Sequence, residues 1–177
     1  MESWVTPAFV AAIISLLITA VGWQVNYWNA LGIEKEKRRE KVRDFQIALR
    51  AEIRSELNHL NKENLAADLE AIENRYSASK TYSVFVPNLA KHAIFESLVS
   101  DIHVLPEGVI DPLILYSRQR QILDNFATDM RSERFSKITQ DRQLAMYRDY
   151  VAVMAYLKLL ASDAVAAIDA ALQEGNA

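Results

Sequence analysis

The side chains of this chain that could do chemistry are few, and most of them fall between residues 92 and 120. His92 and Glu96 stand four residues apart, a spacing that brings two side chains together on one helical face. Asp101, His103, Arg118 and Arg120 follow, the arginines flanking the segment around Tyr116. Helical bundles build sites from side chains that face one another between helices, so His92, Glu96, Arg118 and Arg120, with Asp101 and His103 nearby, define a candidate pocket. The same residues also fit plainer roles. An i,i+4 pair meets by geometry alone, and arginines at the edge of a bundle lay their stems on apolar surface with the charge in water.

Most reaction chemistries lack their parts. A structural metal takes about four ligands and a catalytic one about three, and the His92–Glu96 pair supplies two. His59 belongs to no helical two-histidine zinc pattern. The absence of cysteine excludes disulfides, thiolate metal sites, iron–sulfur clusters and a cysteine nucleophile. Glycine occurs only at positions 22, 32, 108 and 175, so no phosphate-cradling loop or dinucleotide fingerprint is built in the usual way. Acidic residues fall singly on solvated faces, and no serine stands in a nucleophile-elbow context. The expectation is a protein without cofactor, metal or catalytic activity.

One cluster has a direct physical partner. Lys35, Lys37, Arg38, Arg39, Lys41 and Arg43 follow closely on residues 4–23, WVTPAFVAAIISLLITAVGW, in which no side chain is ionisable. At 1.5 Å per residue those twenty positions are about 30 Å long, the hydrocarbon thickness of a bilayer. Trp4 stands at one end and Trp23, Tyr27 and Trp28 at the other, where amphipathic rings prefer the headgroup level. A cleaved signal peptide would need a basic leader, and Glu2 is the only charged side chain before the apolar stretch. With no Lys or Arg before the stretch, the positive-inside rule places the C-terminal part in the cytoplasm and residues 1–3 outside. The basic cluster can also attract anionic headgroups, although Glu34, Glu36 and Glu40 dilute its field.

Residues 1–43 hold six Lys and Arg against four Glu, which leaves 14 basic against 19 acidic side chains in residues 44–177. A mildly acidic domain of about 145 residues, one ordinary folding unit, disfavours nucleic acid as a partner. The expected organisation is an anchor over residues 1–30 and a cytoplasmic helical domain over residues 31–177.

Four Gly and four Pro in 177 residues leave room for long helices. The fold class expected is all-α: an N-terminal transmembrane helix, a long juxtamembrane amphipathic helix, then an antiparallel bundle or hairpins. Val42, Phe45, Leu49, Ile53, Leu57 and Leu60 form one helical stripe, and Leu65, Leu69, Ile72 and Tyr76 a second. The five-residue step between them is either a coiled-coil stutter or a turn. Were the helix unbroken over residues 33–76 it would run about 65 Å, too long for a compact monomer to cover, and a partner strand would be required.

Residues 77–88 read as a loop with a short extended piece. Asn88 is placed to cap a helix burying Leu89, Phe95, Leu98, Val99 and Ile102. The next helix starts at Asp111-Pro112 or, with Pro112 tolerated, at Pro106, and its apolar face is Leu113, Leu115, Tyr116, Ile122, Leu123, Phe126 and Met130. The last helix runs from Ser136 or Thr139 to Glu174, with Gly175 and Asn176 as its stop. Lys158, Asp163 and Asp169 argue against reading it as a second span, at about 3 kcal/mol each near a bilayer centre. Its alanines permit close approach of a neighbouring helix.

Phe85, Pro87, Asn88, Phe95, Leu98, Ile102, Leu105, Pro106, Leu115, Tyr116 and Phe126 carry a resemblance to a pattern seen in many small, uncharacterised bacterial proteins with one N-terminal span and a helical cytoplasmic tail. It covers about 40 positions, mostly of core type. The resemblance implies a bacterial or phage inner-membrane setting and no activity.

The leading functional expectation is a membrane-anchored interaction or oligomerisation module whose partners are the bilayer, itself or another membrane protein. The alternatives are an accessory subunit of a larger membrane complex, and a ligand-binding sensor or enzyme using the pocket around His92.

Overall fold

The computed structural model describes residues 5–175. Trp4, residues 1–3 and the Asn176 stop lie outside the described residues, as do the side chains of residues 5–10, 13, 14, 17, 98 and 99. The regular structure of the described residues is all helical, with no strand: α1 Val5–Lys62, α2 Leu65–Ala78, α3 Ala93–Leu98, a 3-10 turn Val99–Val104, α4 Glu107–Met130, α5 Glu133–Lys137 and α6 Gln140–Glu174. It divides into two compact units, Met1–Arg43 and Asp44–Ala177.

In the first unit, the described side chains of α1 turn apolar groups outward. Leu16, Ile18, Val21, Trp23, Val25, Tyr27 and Trp28 are 51–78% exposed. Lys35, Lys37, Arg38, Arg39, Lys41 and Arg43 are exposed as well.

In the second unit the stripe of α1 goes inside: Phe45, Leu49, Ile53 and Leu60 are 1–5% exposed. Helix α1 stops at Lys62, whose positive charge suits the last turn. The Asn64 side chain then accepts the Ala67 N–H at 3.3 Å and starts α2. The five-residue step is thus a break between two helices, and the unbroken helix that would have required a partner strand does not form.

The break does not reverse the chain. Arg50 and Arg54 of α1 bond Asp169, Glu73 of α2 bonds Arg148, and Tyr76 bonds Gln143. As the residue number rises along α1 and α2 it falls along α6, so the two helices form one kinked column antiparallel to α6. Helix α4 supplies the third side of the bundle. Its Gln119, 8% exposed, donates to the Val153 carbonyl of α6 at 3.1 Å.

Residues 79–106 cross from the end of α2 to the start of α4, and here the sequence expectation needs correction. Asn88 caps nothing, and α3 begins only at Ala93. The Ile94 and Phe95 N–H groups are met by the Glu52 carboxylate of α1, at 3.0 and 2.7 Å. A capping carboxylate 42 residues before Ile94 in sequence removes any need for a local cap.

Helix α4 begins after Pro106, and Pro112 sits inside its second turn, the earlier of the two starts expected. The carbonyl that Pro112 cannot bond belongs to exposed Gly108, where water can serve it. The expected face of α4 also needs correction, because Leu115 and Ile122 are 51% and 44% exposed. The expected Leu113, Tyr116, Leu123 and Met130 are buried, and Val109 and Ala127 complete the stripe, all at 0–3% exposure.

Among the described residues, Gln140–Glu174 is the one helix long and apolar enough to cross a membrane by length and composition. It is the central helix of the bundle. Leu157, Ala161, Ala164 and Ile168 have no exposed surface, so its apolar stripe is already covered by protein. The small Ala161 and Ala164 let a neighbouring helix come close, whereas Ala166 and Ala170 face solvent.

Candidate functional site

The residues singled out between positions 92 and 120 are only partly brought together. His92 and Arg120, each 12% exposed, converge on one carboxylate. Glu96 reaches His92 only through its backbone, its N–H donating to the His92 carbonyl at 2.9 Å. Arg118, Glu96 and His103 are exposed. What joins His92 to Arg120 is Glu56, which the sequence reading passed over.

Glu56 projects from α1 with 14% of its side chain exposed. Its carboxylate accepts the Arg120 Nε–H at 2.7 Å and the Tyr116 hydroxyl, and lies 3.2 Å from His92 Nε2. Arg120 also donates to the Ala90 carbonyl. One turn earlier on α1, Glu52 holds the start of α3. Two carboxylates at i,i+4 on α1 thus fasten residues 90–95 to the bundle, and α4 contributes Tyr116 and Arg120 at the same spacing.

The electrostatics show what this arrangement can do. Burial alone would raise the Glu56 pKa. The hydrogen bonds from His92 and Tyr116 and the charges of His92 and Arg120 outweigh it and hold the carboxyl below its ordinary 4.5. Burial first, then the Glu56 charge and hydrogen bond, push the Tyr116 phenol far up. Glu56 is a poor proton acceptor near neutral pH and its lone pairs are engaged, so the cluster behaves as a lock rather than an acid–base pair.

The sign of its pH dependence follows. A carboxyl lowered by folding contributes stability that is complete above its unfolded value near 4.5 and is lost as pH falls through the lower folded value. Thermal unfolding of the full-length chain, followed by circular dichroism from pH 6 to pH 3, is expected to show a steeper acid loss for the natural protein than for Glu56→Gln. Equal acid limbs would show that Glu56 is not the group titrating.

A second polar lock holds the start of the crossover. Tyr76 donates to Gln143 Oε1 at 3.0 Å and accepts the Val84 N–H at 3.2 Å. Gln143 donates to the carbonyls of Phe135 and Ile138, and Gln140 to those of Ser79 and Tyr82.

Between α2, the last turns of α1 and residues 85–94 lies a cleft of about 950 Å³. Leu60, Ile72, Leu123 and Met154 give it apolar walls, and Tyr147 and Tyr150 of α6 line it, 9% and 5% exposed. Glu63 and Asp68 line it beside the α1–α2 break. A smaller cleft of about 600 Å³ lies beside Phe95, Glu96 and Tyr116. Among the described residues, no group of three or more His, Asp or Glu is placed to hold a metal ion.

Glu56 carried a signal in the sequence. It lies three residues after Ile53 and four before Leu60, on the stripe itself, where a carboxylate stays buried only if other elements supply donors. Leu57, which the stripe was read to include, is only partly buried. No protein-family model matches this chain, and neither does any curated protein or solved structure.

Proposed function

We propose that this chain is a single-pass membrane protein of the bacterial or phage inner-membrane type. Its first helix is the anchor, and its Asp44–Ala177 bundle is a non-catalytic interaction module on the cytoplasmic side. The observation that carries the reading is the outward apolar surface of α1, where Leu16, Ile18, Val21, Trp23 and Val25 are 51–78% exposed. These positions fall within and just after twenty residues free of ionisable groups. Each such side chain left in water forgoes about 1.5–3 kcal/mol of burial, so a bilayer or a partner must cover them. Trp23, Tyr27 and Trp28 would stand at the headgroup level and Lys35, Lys37, Arg38, Arg39, Lys41 and Arg43 on the cytoplasmic side.

Interaction rather than catalysis is supported by Glu56, which is engaged as a lock, and by apolar surface on α4 and α6. Leu115, Ile122, Tyr156 and Leu159 are 44–62% exposed there, a surface suited to a second copy or another membrane protein. The accessory-subunit alternative draws on Gly22, around which an added Cβ would meet nothing within 4 Å. A neighbouring span could approach closely at that point.

The chain has no cysteine, so single introduced thiols report without background. With Ser3→Cys, an impermeant maleimide is expected to label intact cells. With Gln173→Cys, labelling is expected only after permeabilisation. The reverse pattern would overturn the orientation, and release of the full-length chain by alkaline carbonate would overturn the anchor. In-cell crosslinking then separates self-association from a foreign partner.

A further inference from the structure

We propose that the cleft between α2 and residues 85–94 binds an organic cation, an ammonium head carried on an apolar body. The proposal is independent of the membrane reading and concerns only the Asp44–Ala177 unit.

The first observation is a pair of hydroxyls without partners. Tyr147 and Tyr150 sit side by side on α6, ring centroids 6.2 Å apart, and both are more than nine-tenths buried. Tyr76 and Tyr116, the other buried tyrosines, bond Gln143 and Glu56. Among the described residues the Tyr147 and Tyr150 hydroxyls bond nothing, yet no sealed side-chain polar atom is left unsatisfied. Both hydroxyls therefore reach open space, and the open space that these two residues line is the cleft. A buried tyrosine hydroxyl ordinarily finds a partner, and here that partner is whatever occupies the cleft, water or a ligand that displaces it.

The second observation is the sign of the local field. Of the four carboxylates lining the cleft, Glu52 is occupied by the N–H groups of α3, and Glu56 by Tyr116, Arg120 and His92. Glu63 and Asp68 remain toward the tyrosines, with Glu63 3.4 Å from the exposed His59 imidazole. Of the two cations on the lining, Arg75 lies over the Tyr82 ring at 6.0 Å, and Lys91 belongs to the crossover. The Tyr147 phenol is raised by burial, then by the charges of Asp68 and, more weakly, Glu63. That of Tyr150 is pushed up to about 12 by burial and then Glu63, with the charges of Arg131 and Arg120 opposing more weakly. The hydroxyls thus stay neutral, and the carboxylates of Glu63 and Asp68 beside them favour an ammonium over a carboxylate or phosphate.

The third is size and lining. At about 950 Å³ the cleft accommodates a small organic molecule, and Leu60, Ile72, Leu123 and Met154 offer its body an apolar bed. Methionine adapts to varied shapes, which suits a ligand defined by its head rather than its tail. The ammonium N–H groups would donate to the tyrosine oxygens and to the carboxylates of Glu63 and Asp68.

The test compares two probes of one chain length and opposite charge, n-hexylammonium and hexanoate. Each is titrated calorimetrically into the full-length protein in detergent, against protein-free micelles. Saturable one-to-one binding of hexylammonium is expected, with hexanoate weaker by about tenfold or more. Glu63→Gln, Asp68→Asn and Tyr150→Phe should each weaken hexylammonium about fivefold to tenfold, the loss of one charge-assisted hydrogen bond. The exposed Arg118→Gln, outside the cleft, should leave binding unchanged. Asp68 is exposed, and Tyr150→Phe keeps the ring, so both variants retain the fold. Hexanoate binding as tightly as hexylammonium, or no saturation by hexylammonium up to about 10 mM, would overturn the proposal. Unchanged affinity in all three variants would overturn it as well.

Discussion

Replacing Glu56 by alanine is expected to destabilise the Asp44–Ala177 unit by about 3 kcal/mol, the usual consequence of removing one partner from a buried charged cluster. The loss has two parts. The Arg120 guanidinium and the Tyr116 hydroxyl are left without their acceptor in a site where their side chains have almost no solvent. Residues 90–95 also lose a link to α1, keeping only Glu52 at the start of α3 and the Arg120 bond to Ala90. Tyr116→Phe removes one donor and keeps the ring, so about 1 kcal/mol is expected from it alone. Urea unfolding of the two single variants and the double variant closes the cycle. A total smaller than the sum of the singles shows that the two groups act together, and strict additivity would show that they do not. Proteolysis should find new cutting sites within residues 88–95 of Glu56→Ala before it finds them in α6.

Leu157→Ala is expected to cost about 3 kcal/mol, and Leu159→Ala less than about 0.5 kcal/mol, although the two leucines are separated by a single lysine. Leu157 has no exposed surface, and Leu159 is 62% exposed. Truncating the first leaves a cavity at the centre of the bundle, where α6 meets α4 and the column of α1 and α2. Truncating the second removes surface already in contact with solvent. Thermal unfolding of both variants checks the ranking, and similar losses from each would mean that the outer face of α6 is covered in the protein as it exists. That result would point to the oligomer proposed above.

The same pair of leucines shows where local reading stops. Along α6 the stripe through Tyr147, Val151, Met154, Ala161, Val165, Ile168 and Leu172 is read from the sequence, and all but Leu172, which is half-buried, lie in the core. Hydropathy alone does not separate Leu157 from Leu159, because both lie in one apolar run. The helical phase separates them once the position of α4 is known. On α4 the phase misleads at two places, since Leu115 and Ile122 look like core and face outward. A helix carrying more apolar residues than its neighbours can cover must leave some exposed, and composition does not say which.

The candidate pocket divides in the same way. His92 and Arg120 are legible as residues able to do chemistry, but their side chains converge on a carboxylate that spacing does not point to. Glu96 is close to His92 in sequence, and spacing arguments can only propose close neighbours. The true partner, Glu56, is separated from Tyr116 by 60 residues and from Arg120 by 64. The tyrosines of the cleft were read only as core or not at all. Their unpartnered hydroxyls become visible once every other buried polar atom has been accounted for.

What the sequence determined by itself is local. It set the helical class, through scarce glycine and proline and a 3.6-residue apolar period. It also marked the end of α6 at Gly175 and an irregularity near Asn64, although the tertiary structure decided between a stutter and a turn there. These follow from backbone chemistry within a few residues. The tertiary structure decided what meets across long separations: the carboxylate of Glu52 in place of a cap at Asn88, Glu56 at the centre of His92, Tyr116 and Arg120, and the cleft against Tyr147 and Tyr150. The physical reason is that a buried polar group is satisfied by whichever donor the packed helices bring within 3 Å. Packing depends on how three helices share one core, which no single segment encodes.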